Sequence, residues 1–140
     1  MLAGRRDVIR ISVGNARAEA RCWFRRYGLF VSSDADGFAA VARQPSLARR
    51  VLNVDRRPGR HTFQLGLLLG YPPCCARAAG RAGDQGIDIA ASELSERYFP
   101  GPYRLTSPGK FNLGETAISH VPCSPICAPS LRQALRALGT

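Results

Sequence analysis

The chain opens on alternation. Ile9-Arg10-Ile11-Ser12-Val13 places apolar side chains at every second position, which predicts a half-buried strand. Gly14-Asn15 then supplies a turn. From Ala16 to Tyr27 the period lengthens: Ala16, Ala20, Trp23, Phe24 and Tyr27 recur at helical spacing, and Gly28 is placed to end that helix. Leu29–Val31 and Phe38–Val41 read as short strands around Asp34-Ala35-Asp36-Gly37, a hairpin turn in which glycine follows aspartate. A short helix is expected over Leu47–Leu52, then a basic loop over 55–60. His61–Leu69 is apolar on nearly every side and predicts a fully buried helix.

Gly70-Tyr71-Pro72 interrupts that run, and Pro73 suits the first turn of a new helix carrying Cys74, Cys75, Ala76, Ala78 and Ala79. Another helix is expected over Ile87–Phe99, with Ile87, Ala91, Leu94 and Tyr98 on one face. Residues 100–122 read as a long loop of the kind that often carries function. Pro129–Leu138 closes the chain as an amphipathic helix marked by Leu131, Leu135 and Leu138. The fold class expected is α+β, with a small N-terminal antiparallel sheet and a helix-rich C-terminal half built around cysteines. At 140 residues this suits a single domain, with an α+β part over 1–57 and a cysteine-motif part over 58–140.

Composition sharpens the picture in two respects. No apolar run approaches the ~20 residues of a membrane span, and the N-terminus has no apolar leader core; the expectation is a cytoplasmic protein. The net charge is +10, from 19 Arg and one Lys against 10 acidic residues. Such a surplus favours anionic partners: a small anionic substrate, or nucleic acid. The basic residues are scattered in twos along the chain, so a generally solvated basic surface is an equal alternative.

The candidate chemistry lies in five cysteines. A reducing compartment disfavours disulfides, and clustered cysteines there more often bind metal or act in redox chemistry. Cys22 stands apart and reads as a small buried hydrophobe. Cys74-Cys75 follows Gly70-Tyr71-Pro72-Pro73, and Cys123-x3-Cys127 lies in His120-Val121-Pro122-Cys123-Ser124-Pro125-Ile126-Cys127. A helix is expected to begin at each pair, where unpaired N–H groups and a partial positive charge favour thiolate. Cys74, Cys75, Cys123 and Cys127 are therefore the expected ligands of one centre. Adjacent side chains tend to point apart, which is awkward for one small ion, whereas adjacent cysteines can ligate different irons of a cluster. On that ground an iron–sulfur cluster is favoured over zinc.

A catalytic or redox metalloprotein is the leading expectation, with His120 and Cys75 as the catalytic candidates and His120 serving as acid/base or as a partner of a ligand. The alternatives are a structural-zinc module that binds nucleic acid, and a metal-free dithiol enzyme. Lesser candidates are Lys110 for an anionic substrate, Ser124 and Asn112 as hydrogen-bond donors, and the aromatic residues Tyr98, Phe99, Tyr103 and Phe111. The strings Leu67-Leu68-Leu69-Gly70-Tyr71-Pro72-Pro73-Cys74-Cys75 and His120–Cys127 resemble a poorly characterised prokaryotic family, a domain of unknown function of archaea and bacteria. The resemblance covers roughly the C-terminal half. It implies that both cysteine strings belong to one module, and it implies no activity.

Overall fold

A computed structural model describes residues 7–57, 61–98, 118 and 120–138. The chain divides into two compact units, Met1–Gly70 and Tyr71–Thr140.

The first unit carries β1 (Val8–Ser12), α1 (Arg17–Arg25), β2 (Phe30–Ser33), β3 (Phe38–Ala42), α2 (Pro45–Asp55) and α3 (Thr62–Leu68). Its sheet has the order β1-β3-β2 with both pairings antiparallel, Val8 facing Ala42 on one side of β3 and Phe30 facing Ala42 on the other. The small antiparallel sheet expected from the alternating segments is present. Ala39 to Ala42, on the central strand, are fully buried. The β2–β3 turn is locked by Asp34, whose carboxylate accepts the backbone N–H groups of Asp36 and Phe38 at 3.0 and 2.9 Å. Gly37 is obligatory there. Its φ is +84°, and a Cβ would lie 3.0 Å from the Gly14 backbone.

α1 departs from expectation in what it buries. Trp23 is 52% exposed, Tyr27 65%, and Cys22 is exposed as well; Phe24 is the one buried residue of the helix. The reading of Cys22 as a buried hydrophobe is therefore corrected. Arg17 donates to the Ala35 carbonyl at 2.6 Å and Arg21 to the Ser33 hydroxyl at 3.0 Å, tying the helix to the hairpin. These polar ties orient α1 so that its aromatic residues stack on one another, with Trp23 edge-on to Phe24 and tilted against Tyr27.

α2 starts with Pro45 at its first turn and buries Ala48, Val51, Leu52 and Val54. Its Asp55 accepts from Arg10 of β1 at 2.6 Å. α3 packs on α2 but is not the fully buried helix expected. Gly66 is its one buried residue, while Phe63 and Leu67 are exposed. A seven-residue helix resting on one neighbour has only one face to bury. Gly70, at φ +75°, turns the chain out of it.

The second unit carries α4 (Pro73–Tyr98) and α5 (Ala128–Leu138). Gly83 breaks α4 with φ +70° and ψ 175°. The two helices expected there are thus joined end to end across one non-helical residue. In α5 the buried positions are Ser130 and Ala134, while Leu135 is exposed. Of the leucine stripe expected from the sequence, Leu131 is half-buried and Leu135 is exposed. No described helix is long and apolar enough to cross a membrane.

Candidate metal centre

Two helix starts build the site. Pro73 opens α4, so Cys74 and Cys75 sit in its first turn, where the Ala76 N–H donates to the Pro72 carbonyl at 2.9 Å. Cys127 immediately precedes α5; its carbonyl accepts from Leu131 N–H at 2.9 Å, and its own N–H donates to the Ser124 carbonyl at 3.1 Å. The short turn between Cys123 and Cys127 reverses the chain so that both thiols face one point. Helix starts at both pairs are what the proline-flanked motifs predicted.

All four sulfurs, of Cys74, Cys75, Cys123 and Cys127, lie within 4.8 Å of one another. Cys74 Sγ is 3.9 Å from Cys75 Sγ and 3.8 Å from Cys127 Sγ, and Cys75 Sγ is 3.5 Å from Cys127 Sγ. Adjacent Cys74 and Cys75 therefore converge; they do not point apart. In the first turn of a helix, successive residues differ by roughly 100° about the axis, and a site lying between those two directions receives both. The cysteines are unbonded thiols, and their arrangement is geometrically able to coordinate a metal ion. Cys75 is 1% exposed and Cys127 is buried, Cys74 is half-buried, and Cys123 is exposed.

Around the sulfurs lies a buried polar network of which the sequence flagged His120 but not Ser130. Ser130, fully buried, donates its hydroxyl to Cys127 Sγ at 3.4 Å, lies 3.2 Å from Cys75 Sγ, and is 2.9 Å from His120 Nε2. A hydroxyl has one proton and two lone pairs, so while it serves a thiolate the imidazole must donate into it from Nε2. His120 is 2% exposed and lies against the Tyr71 ring at 4.9 Å between centroids. It thus reaches the sulfurs through Ser130 and is not itself among the converging ligand atoms. The clue available in sequence was spacing. Ser130 follows Cys127 by three residues, so a helix starting there puts both on one face. A backbone donor completes the network, Cys123 N–H to Cys75 Sγ at 3.4 Å.

The electrostatics differ from a uniformly thiolate-stabilising pocket. Burial pushes the Cys75 thiol far up, against opposing hydrogen bonds from Ser130 and the Cys123 N–H. Cys123 is pushed up to about 11, first by burial and then by its hydrogen bonds and charge interactions with Cys127 and Cys74. Only Cys127 is lowered, to about 7: burial raises it, but hydrogen bonds from the Ser130 side chain and backbone, and from Cys75 and Cys123, outweigh that. Four thiols packed without a cation cannot all ionise, because each new thiolate repels the last. The helix starts alone do not overcome this.

A cavity of about 330 Å³ adjoins the cluster, with Val121, Cys123 and Pro125 on one wall and Ala78, Ile87 and Leu94 of α4 on the other. Ser124 also lines it. Phe99, Tyr103, Lys110, Phe111, Asn112 and most of the 100–122 loop lie outside the described residues, as does the Tyr98 side chain. Comparison with known protein families, with curated proteins and with solved structures finds no match to this chain.

Proposed function

We propose that this chain is a zinc–thiolate protein, in which one four-coordinate ion held by Cys74, Cys75, Cys123 and Cys127 fastens the start of α4 to the start of α5. The observation that carries the reading is the set of sulfur separations. A tetrahedral ion with bonds of ~2.3 Å places its thiolates roughly 3.8 Å apart; the separations of 3.5, 3.8 and 3.9 Å among Cys74, Cys75 and Cys127 match that edge, and Cys123 completes the set within 4.8 Å. A cluster would hold its cysteines on different irons with the thiolates directed outward, spreading the sulfurs more widely than the 4.8 Å span found here. The preference for iron–sulfur rested on adjacent cysteines diverging, and they converge. Convergence of both strings on one point also supports treating them as one module.

Four thiolates complete the coordination of zinc and leave no position on the ion for a substrate, which favours a structural centre. His120 and Cys75 are too deeply buried to meet a substrate directly, and in this reading they serve as a positioning group and a ligand. Protein prepared without air should contain one zinc per chain and no acid-labile sulfide. Replacing the zinc with cobalt(II) should give the intense visible bands of tetrahedral thiolate coordination. A brown protein carrying sulfide and iron would overturn the assignment.

One observation favours a second reading, thiolate chemistry on a bound substrate. Cys123 is exposed and forms part of the cavity wall, so an electrophile could reach a ligand sulfur there. Among the described residues the lining contains Glu93 and no basic side chain, which suits a neutral, apolar substrate better than the anionic one expected from net charge. Selective alkylation of Cys123 in the zinc-loaded protein, mapped by mass spectrometry, would support it; protection of Cys123 equal to that of Cys75 would refute it.

A further inference from the structure

We infer that the first unit carries a binding site for the phosphate backbone of a single-stranded nucleic acid, in the cleft between α2 and α3. The site does not depend on the metal at the cysteine centre.

The cleft has a volume of about 750 Å³ and is walled by Arg49, Arg50 and Arg57, with Asn53, Ser46 and Gln64 as further polar groups. Val54, Leu67 and Leu68 form its apolar floor, and among the described residues no acid lines it. The nearest acid along α2, Asp55, is engaged by Arg10 at 2.6 Å. Arg49, Arg50 and Arg57 are exposed, and none is ion-paired among the described residues. Elsewhere in the unit, by contrast, Arg10, Arg17 and Arg21 are each committed to a partner.

The placement follows from helix geometry. At roughly 100° per residue, positions 46, 49, 50 and 53 fall within one arc of about 100°, opposite the buried Ala48, Val51 and Leu52, and Arg57, two residues past the end of the helix, lines the same cleft. The side that α2 does not bury against its own unit is therefore a stripe of guanidinium, amide and hydroxyl groups. From Ser46 to Asn53 the stripe rises about 10 Å along the helix, and Arg57 lines the cleft beyond the helix end; this is too long for one phosphate and suited to successive phosphates of a chain. Guanidinium groups are matched to phosphate oxygens by their planar, two-pronged donor geometry. The exposed Leu67, with Leu68 and Val54, offers an apolar surface to a sugar or base turned inward. An unpaired strand presents its bases that way, whereas a duplex hides them.

The test uses the full, metal-loaded chain and a fluorescent single-stranded oligonucleotide, with anisotropy measured across salt concentrations. For a single strand the slope of log K against log salt falls by about 0.7 for each phosphate that is no longer neutralised. Arg49→Gln should lower the slope by that amount, and the triple variant R49Q/R50Q/R57Q by about 2, which amounts to roughly a twentyfold change in salt sensitivity between 50 and 200 mM salt. Circular dichroism should be unaltered, because all three side chains are exposed. Arg132→Gln, on α5 in the second unit, serves as the control and should bind as the parent does. An equal loss for Arg132→Gln would mean a diffuse basic surface and overturn the site. Triple-variant binding equal to the parent's would also overturn it. Displacement of the strand by millimolar inorganic phosphate would reveal a single-phosphate pocket and overturn the chain reading. Duplex of the same length bound as tightly, with the same loss in the variants, would overturn the preference for a single strand.

Discussion

Ser130→Ala isolates what the buried network contributes to the cysteine centre. The substitution removes one oxygen that meets Cys127, Cys75 and His120 at 3.4, 3.2 and 2.9 Å. Taking the Ser130 oxygen away from the His120 Nε2, on an imidazole only 2% exposed, costs about 1–3 kcal/mol. Alanine's better helix propensity returns at most about 0.5 kcal/mol of that. Metal affinity should fall by about 10- to 100-fold, the range usual when a group supporting a ligand is removed. Competition with a chromophoric chelator measures it. A second readout comes from the metal-free protein. The Ser130 hydroxyl is the largest influence holding Cys127 down at about 7, so its loss moves the midpoint of Cys127 alkylation upward with pH. At neutral pH the variant then reacts more slowly. Ala134→Gly provides the control: it weakens the same helix at a buried position by about 1 kcal/mol without touching the network, and should leave the alkylation midpoint in place. If Ser130→Ala binds zinc within threefold of the parent and its alkylation profile matches that of Ala134→Gly, the network does not act on the thiols and the reasoning fails.

Three further outcomes are expected. Cys75→Ser should abolish stoichiometric zinc binding, whereas Cys22→Ser, at an exposed position outside the cluster, should change unfolding free energy by no more than about 0.5 kcal/mol; elemental analysis and denaturant titration check the pair. Zinc binding should release protons: at pH 8 the metal-free site holds Cys127 ionised, with Cys123, at about 11, and Cys75 still protonated. At least two protons then leave per ion, and affinity rises with pH by roughly a hundredfold per unit; release of fewer than one in a weakly buffered titration would contradict this. Gly37→Ala should lower stability by about 1–2 kcal/mol from its positive φ alone, with the 3.0 Å approach to Gly14 adding to it, as read by thermal and denaturant unfolding.

What local chemistry dictates was legible in the sequence. Alternation marked β1, the Asp-Ala-Asp-Gly turn marked the hairpin, and Pro73 and the proline-rich segment before α5 marked both cysteine-bearing helix starts. These signals depend on a few neighbouring residues and on backbone geometry, so they survive without knowledge of the partner surface. That four cysteines would meet was also legible from their pairing and flanking residues. Which helix face is buried was not, because periodicity identifies a stripe but not what covers it. Trp23, Tyr27 and Leu135 lie on apolar stripes and stay exposed, while Ser130 and Ala134 take the inward face of α5. The convergence of adjacent Cys74 and Cys75, the Ser130 bridge to His120, and the splitting of the thiol acidities each depend on distances between residues remote in sequence. Such distances are set by how α4, α5 and the turn between Cys123 and Cys127 pack, and only the tertiary structure decides them.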